Sequence, residues 1–101
     1  MIKIVSRRII RADCVERFEA LAGELVRESR REPGCLGYTL NRSLADPREH
    51  MFLESWADEA ALEAHNASAH FKRLVPQFAA LTEERLPVER FEELEGERAD
   101  A

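Results

Sequence analysis

Long hydrophobic runs are absent from this sequence. No apolar stretch approaches the roughly 20 residues that a membrane-spanning helix requires, so we expect no membrane partner. Met1 leads directly into the apolar residues Ile2, Ile4 and Val5, without the charged segment and small-residue cleavage site of a secretory signal. We therefore expect a cytoplasmic protein.

Cysteine and glycine are also scarce. The two cysteines, Cys14 and Cys35, are too few for a disulfide framework or a cysteine-based metal site, and they fit a reducing compartment. We interpret both as inert thiols, although Cys14 is expected in the first turn of a helix, where the pKa of a thiol falls. The four glycines form no phosphate-binding loop, which argues against a nucleotide cofactor.

Positive charge is in the minority. Fifteen Lys and Arg residues stand against twenty Asp and Glu residues, which gives a net charge of −5. Because nucleic acid is bound through a basic face, we expect no nucleic-acid partner. The composition, 45% hydrophobic and 35% charged, is typical of a globular protein. A chain of 101 residues predicts one small domain, over residues 1–94, followed by a frayed acidic tail over residues 95–101.

The first half of the chain predicts a strand, a helix and a second strand. Residues 2–10 are rich in Ile and Val, which favour a strand. Residues 14–32 place apolar side chains at helical spacing, with Asp13 as the expected N-cap. The Pro-Gly pair at 33–34 is expected to end this helix. Residues 35–44 then alternate between apolar and polar in the manner of a strand.

The second half predicts a strand, two helical segments and a last strand. Residues 51–57 alternate again and should form a hairpin with the preceding strand. Asp58 and Ser68 are the expected caps of two helical segments, and Pro76 is expected to kink the second of them. Residues 86–94 predict a weak last strand.

The predicted order is therefore strand, helix, strand, strand, helix, strand. This order is typical of the α+β, ferredoxin-like split βαβ fold, in which helices cover one face of an antiparallel sheet. The other face needs a partner, and a chain this short gains burial by association. We therefore expect a homodimer in which the same face of a second copy covers the sheet.

The scarcest polarisable side chains lie together in one stretch, ESWADEAALEAHNASAHF, over residues 54–71. It holds the only tryptophan, Trp56, and two of the three histidines, His65 and His70. The stretch is predicted to run from the end of a strand into two helical segments. Strand ends and helix starts line the cleft between a sheet and its helices, so we expect a functional site there.

Three segments resemble one known family. They are EPGCLGY before the second strand, ESW at the end of the third, and LEAHNASAHFK after it. Together they resemble the antibiotic biosynthesis monooxygenase family, which includes small bacterial quinol monooxygenases, and the resemblance runs from about Ile2 to about Leu94. Its most specific part is the pattern x-A-H-x-x-S-x-H-F/M-K. The resemblance implies a dimeric α+β barrel, in which two sheets pack face to face.

The resemblance also implies a reaction. Members whose activity is known oxidise phenolic or anthrone-like rings to quinones with O2, and they use no metal, flavin or haem. A small aromatic substrate, O2 as the second substrate and no cofactor are therefore expected here. Because O2 reacts sluggishly with closed-shell molecules, the site has to deprotonate an acidic aromatic OH or CH group and keep the anion away from water.

Histidine is the natural base for this reaction, because its pKa lies near neutrality. We predict His65 and His70 as the catalytic residues. Four further side chains are predicted to bind the substrate, by donating hydrogen bonds or lining the cavity: Tyr38, Asn41, Trp56 and Phe71. Glu54 is interpreted as a solvated or paired carboxylate, and His50 as an exposed residue in a turn.

Metal and haem sites are not expected. His65 and His70 are five residues apart across a predicted chain break, unlike the i, i+4 pair of a zinc helix, and no third ligand stands out. Related haem-degrading enzymes share the fold. However, Val75 stands where their haem-ligating histidine would be, and His65 stands where they have a ring-distorting tryptophan.

Two other functions remain open. One is an isomerase of a small phosphorylated, sugar-like signal molecule, which would use the same histidines and Arg42 or Arg73 as a phosphate clamp. The other is a non-catalytic dimeric module that binds a small apolar ligand. A closed cavity would favour this second alternative.

Overall fold

A computed structural model describes residues 1–96 of the chain. Its strands and helices, in chain order, are β1 (Ile2–Ile10), α1 (Val15–Ser29), β2 (Cys35–Arg42), β3 (Glu49–Trp56), α2 (Glu59–Asn66), α3 (Ala69–Phe78), β4 (Thr82–Arg85) and β5 (Glu89–Glu92). Single 3₁₀ turns precede α1 and follow α3. No helix within residues 1–96 has both the length and the apolar character needed to cross a membrane.

The strands form one antiparallel sheet in the order β2-β3-β1-β4, and β5 also pairs with β1. This is the order of the ferredoxin-like fold, so the predicted α+β class is confirmed. The last strand differs from the prediction. Within the predicted range 86–94 only β5 is a strand. β4, which was not predicted, comes before it, and the break between them contains Pro87, which has no N–H for the ladder.

Strand alternation decides which side chains meet the helices. In the register of the sheet, Glu54 on β3 lies between Ile4 on β1 and Tyr38 on β2. Side chains two residues apart share a face, so Phe52 and Trp56 point to the same side. The core contains Ile4, Tyr38, Phe52 and Trp56 of the sheet. It also contains apolar residues of α1, α2 and α3, namely Phe18, Ala22, Leu25, Leu62, Leu74 and Phe78. The core therefore lies between the sheet and the helices.

The helix starts agree with the sequence at two of three places. The side chain of Asp58 accepts a hydrogen bond from the Ala61 N–H (2.8 Å), and Ser68 caps α3. Asp13 is not the cap of α1, since it lies inside the preceding 3₁₀ turn and Cys14 takes the cap position without a side-chain bond.

The Cys14 thiol also differs from the prediction. Lost hydration and the hydrogen bond from Cys14 Sγ to Asp13 raise the pKa of this thiol, whereas the sequence predicted a lower pKa.

The chain between α1 and β2 packs closely on α2. Helix α1 ends at Ser29, before Pro33. A Cβ atom at Gly34 would lie 2.3 Å from the Cβ of Ala61, so only glycine fits at this contact. The φ angle of Gly34 is not positive. The close approach of Gly34 to Ala61, rather than a left-handed backbone conformation, therefore explains this glycine.

The prediction of an acidic tail falls mostly on residues 97–101, which lie outside the described residues.

Candidate active site

The two predicted histidines flank the corner between α2 and α3. His65 lies in the last turn of α2 and His70 in the first turn of α3. Ser68 fixes the corner with two bonds. Its Oγ donates to the His65 carbonyl (2.7 Å) and accepts from the Phe71 N–H (3.2 Å). The pattern H-x-x-S-x-H therefore brings both imidazole rings to one side of the corner.

Both histidines contact one carboxylate that the sequence did not reveal. His65 Nδ1 lies 2.7 Å and His70 Nε2 2.8 Å from the same oxygen, Oε2 of Glu32. Glu32 precedes β2, and the Gly34 carbonyl of the same segment accepts a hydrogen bond from the N–H of Ala57, which lies between β3 and α2 (2.9 Å). The only sequence signal is the position of Glu32 next to a Pro-Gly turn.

A second carboxylate, Glu54, lies on the other side of the His65 ring. Its Oε1 atom accepts a hydrogen bond from Trp56 Nε1 (2.9 Å) and lies 4.0 Å from His65 Nε2. Glu54 is only 6% exposed, so the solvated alternative is wrong and the paired one is right. Burial raises its pKa to about 7, although the donors on Trp56 and Tyr38 favour the anion.

His65 is held as a neutral imidazole. Burial lowers the pKa of its ring and outweighs the opposing effect of Glu32. Because Nδ1 faces the Glu32 carboxylate, the single ring proton belongs on Nδ1, and Nε2 carries the lone pair. This Nε2 atom is buried and has no hydrogen-bond partner within residues 1–96. Such an arrangement is that of an oriented general base.

Aromatic rings surround the His65 imidazole. The ring centroid of Trp56 lies 4.5 Å away, that of Phe71 5.2 Å in an edge-on arrangement and that of Tyr38 5.4 Å. Trp56 and Tyr38 are almost completely buried, and burial, with Glu54 as the second cause, raises the pKa of the Tyr38 hydroxyl. These contacts fix the orientation of the imidazole.

A cleft of about 330 Å³ opens beside His65 and Glu54. It is bounded by sheet residues, the corner and the segment after α3, and its lining comprises Ile4, Ser6, Glu54, Leu62, His65, Asn66, Phe71, Arg85, Val88 and Arg90. The volume suits a small ligand. Phe71 lies in this lining as expected. Tyr38 and Trp56 lie behind Glu54 and His65, and neither Glu32 nor His70 faces the cleft.

Asn41 lies apart from this cluster. It pairs with Met51 on β3 and lies on the sheet face that points away from the helices, because odd-numbered positions of β2 alternate with Tyr38. Its Nδ2 atom donates to Thr39 Oγ1 (3.0 Å) and to the Met51 carbonyl (3.2 Å). The structure therefore does not bring Asn41 to the cleft.

The expectation that His50 is exposed in a turn is wrong. Strand β3 begins at Glu49, earlier than predicted, and His50 is 2% exposed on the face that meets the helices. Its Nε2 atom lies 2.6 Å from Glu19 Oε2, and Glu19 also pairs with Arg42 (2.6 Å). Hydrogen bonding from Arg42 is the main cause that lowers the pKa of Glu19 to about 2. This is a second polar cluster, at the opposite end of β3.

The arginines considered as phosphate clamps are paired elsewhere. Arg42 binds Glu19, and Arg73 lies 2.7 Å from Glu24. The arginines that line the cleft are Arg85 and Arg90, and Arg90 is paired with Glu59 (2.6 Å). The site therefore combines two titratable groups, His65 and Glu54, with apolar walls and positive charge.

Known proteins are similar to this chain in both sequence and fold. The family model described as antibiotic biosynthesis monooxygenase matches residues 1–77. The protein YcnE of Bacillus subtilis (strain 168) is 38% identical over 77 residues, which are 76% of this chain and 81% of that protein. A crystal structure of an antibiotic biosynthesis monooxygenase is 35% identical with a TM-score of 0.88, over 94% of this chain and all (100%) of that chain. The structure of PA3566 from Pseudomonas aeruginosa is 29% identical with a TM-score of 0.85, over 93% and 94% of the two chains. This chain belongs to the antibiotic biosynthesis monooxygenase family.

Proposed function

We propose that this protein is a cofactor-independent monooxygenase that oxidises a small phenolic or quinol-type aromatic to a quinone with O2. The observation that carries the proposal is the His65 Nε2 atom, which is buried, has no hydrogen-bond partner within residues 1–96, and belongs to a residue that lines a cleft of small-molecule size. The orienting bond from Nδ1 to Glu32 gives the ring the arrangement of a histidine base held by a carboxylate. Family membership supports the same class of reaction.

The first step of the proposed reaction is a proton transfer. The aromatic OH, or an acidic ring CH, gives its proton to His65 Nε2. The imidazolium then lies between two carboxylates, with Glu32 2.7 Å from Nδ1 and Glu54 4.0 Å from Nε2. Both charges favour the protonated ring and so offset part of the cost of its burial. His70 bonds the same Glu32 oxygen and so acts as a positioning residue.

The second step uses the substrate anion as the reductant of O2. The electron-rich anion gives up electrons to O2, one oxygen atom enters the ring, and the other leaves as water. For a simple phenol, the sum is one phenol and one O2 giving one quinone and one water. Apolar side chains of the cleft, Ile4, Leu62 and Phe71, exclude water from the anion. Arg85 also lines the cleft, and the positive charge of its guanidinium favours the negative charge of the substrate anion.

Glu54 is the alternative base within the same site. A carboxyl group with a pKa of about 7 is well matched to proton transfer near neutral pH. From the sequence alone Glu54 was interpreted as a solvated or paired carboxylate, whereas the structure buries it. Glu54 lacks an orienting partner comparable to Glu32, and its Oε1 already accepts the Trp56 N–H. We therefore assign the base to His65 and the stabilisation of its proton to Glu54.

The two alternative functions have less support. The isomerase predicted from the sequence would use Arg42 or Arg73 as its phosphate clamp, but these two residues are paired with Glu19 and Glu24 and do not line the cleft. A non-catalytic binding module would be favoured by a closed cavity, whereas this cleft opens to solvent. We also propose that the protein is cytoplasmic and works as a homodimer whose second copy covers the free face of the sheet.

Oxygen uptake tests the proposal. Purified, chelator-treated protein is incubated with a panel of hydroquinones, phenols and anthrones, and O2 consumption and quinone formation are followed. We expect His65→Gln to lower kcat/KM by about 10²- to 10⁴-fold, the usual contribution of a general base. Glu63→Gln, an exposed change on the same helix, should leave the rate unchanged. A folded His65→Gln variant with wild-type turnover would contradict the assignment, and activity that appears only with added flavin, haem or iron would contradict the reaction class.

A further inference from the structure

Glu32, His65 and His70 form a group of three ligand-type side chains at one point. Their ligand atoms all lie within 4.8 Å of one another, and both histidine nitrogens contact Glu32 Oε2 at 2.7 and 2.8 Å. From the sequence alone no metal site was expected, because no third ligand stood out beside His65 and His70. The fold supplies that ligand from a segment more than thirty residues away in sequence.

We infer that Glu32, His65 and His70 bind a divalent transition metal ion of the Zn²⁺ type. Two imidazoles and one carboxylate are a common zinc donor set, with the fourth position left to water. Ligand bonds of about 2.0–2.2 Å place two ligands of a tetrahedral ion about 3.3 Å apart. The present nitrogen–oxygen separations, 2.7 and 2.8 Å, therefore have to widen by about 0.5 Å.

The surroundings suit an entering ion. The side chains of Glu32 and His70 are 14% and 15% exposed, so an ion has a path from solvent, whereas His65 is fixed in the core. A ligating histidine commonly directs its other ring N–H at a carboxylate. His65 has such a carboxylate in Glu54, 4.0 Å from Nε2. The buried Nε2 atom, which lacks a partner within residues 1–96, would then carry a proton aimed at an acceptor.

The proposed ion does not touch the substrate. His65 offers Nδ1 to the ion and Nε2 to the cleft, and neither Glu32 nor His70 lines that cleft. When the ion takes Nδ1, the ring proton moves to Nε2, and the lone pair that serves as the base is lost. The ion is therefore an inhibitor of the proposed reaction rather than a cofactor. This inhibition rests on the proposed function, whereas metal binding does not.

Binding is tested with untagged full-length protein. Zn²⁺ is titrated by calorimetry, and Co²⁺ by the visible absorption that a tetrahedral cobalt site produces. We expect one ion per chain, and at least about tenfold weaker binding for Glu32→Gln and for His70→Gln. Glu63→Gln removes an equal charge from α2 outside the cluster and should bind like the wild type. Absence of one-to-one binding, or equal binding by folded Glu32→Gln and His70→Gln variants, would overturn the site.

Inhibition is tested separately, by O2 uptake at increasing Zn²⁺ occupancy. The rate should fall in proportion to the fraction of chains that hold an ion, and a chelator should restore it. If Zn²⁺ binds and the rate of an active protein does not change, the exchange of the His65 proton is wrong. If the protein oxidises no quinol, the proposed function fails, and the calorimetric comparison of Glu32→Gln and His70→Gln still decides the metal site.

Discussion

Two glutamates on the helix side of the sheet show how environment sets the protonation of one residue type. Glu19 accepts hydrogen bonds from Arg42 and His50, and its pKa is lowered to about 2. Within residues 1–96 no arginine forms a salt bridge with Glu54, and burial raises its pKa to about 7. Only the second carboxylate titrates near neutral pH, and it is the one that borders the cleft.

The raised pKa of Glu54 predicts a dependence of stability on pH. Between the ordinary pKa of 4.5 and the folded value of about 7, the folded state binds more protons than the unfolded state. The free energy of unfolding therefore falls as pH rises through this window. Glu54→Gln keeps an acceptor for the Trp56 N–H and removes the charge. We expect it to be more stable than the wild type at pH 8, by on the order of 3 kcal/mol at most, and equally stable at pH 4.5.

Urea unfolding at pH 4.5, 6 and 8 measures this difference. Glu63→Gln serves as the control, because Glu63 is exposed, and it should follow the wild type at each pH. If the stability difference between Glu54→Gln and the wild type is the same at all three pH values, burial does not shift the titration of the Glu54 carboxyl group.

At the scale of elements, local signals identified the parts of the site that are close in sequence. Trp56, His65 and His70 lie within 15 residues of one another, and the caps Asp58 and Ser68 could be read directly. Strand order and helix positions were likewise predictable, because alternation and helical spacing are local patterns.

Contacts between distant segments could not be predicted in this way. Glu32 meets His65 across 33 residues and His70 across 38. The burial of Glu54 depends on which strands and helices pack around it, and the burial of His50 on a strand that begins two residues before the predicted start at Met51. These contacts depend on tertiary packing, which local patterns do not contain, since a charged residue has the same local pattern whether it faces solvent or a packed helix.

The contact between Gly34 and α2 holds the Glu32 segment in place, and it predicts a severe effect of one methyl group. A Cβ at position 34 would lie 2.3 Å from Ala61 Cβ, and the backbone on both sides leaves little room to yield. We expect Gly34→Ala to destabilise the fold by about 1–3 kcal/mol, the usual cost of overpacking. Loss of the Glu32 contacts should lower oxygenase activity as well.

A double variant separates this clash from other effects of the substitution. Ala61→Gly removes the opposing methyl group, and in a helix it costs about 1 kcal/mol by itself. In thermal melts, Gly34→Ala combined with Ala61→Gly should be more stable than the sum of the two single changes implies. Strict additivity would show that the contact with Ala61 is not the cause.

At the scale of the whole molecule, the sheet has one face covered by helices, and no helix within residues 1–96 covers the other face. The free face carries residues that alternate with the core positions, and it mixes apolar with polar groups. Val5 and Ile9 on β1 and Met51 on β3 are partly buried there, and Leu53 is 38% exposed. The register places Val5 directly opposite Leu53, so the two form an apolar patch at the centre of the sheet.

This patch predicts how the proposed dimer can be broken. A carboxylate at position 53 would lie between two sheets with no partner, and burying an unpaired charge is costly. We expect the wild type to sediment as a dimer at micromolar concentration and Leu53→Glu as a monomer that is still folded. Leu44→Glu is the matched control, because Leu44 is fully exposed (105%) in the β2–β3 connection. A wild-type monomer would contradict the dimer, whereas a dimeric Leu53→Glu would place the interface elsewhere. Since the corner between α2 and α3 lies on the helix side of the sheet, a folded Leu53→Glu monomer should keep the proposed Zn²⁺ site intact.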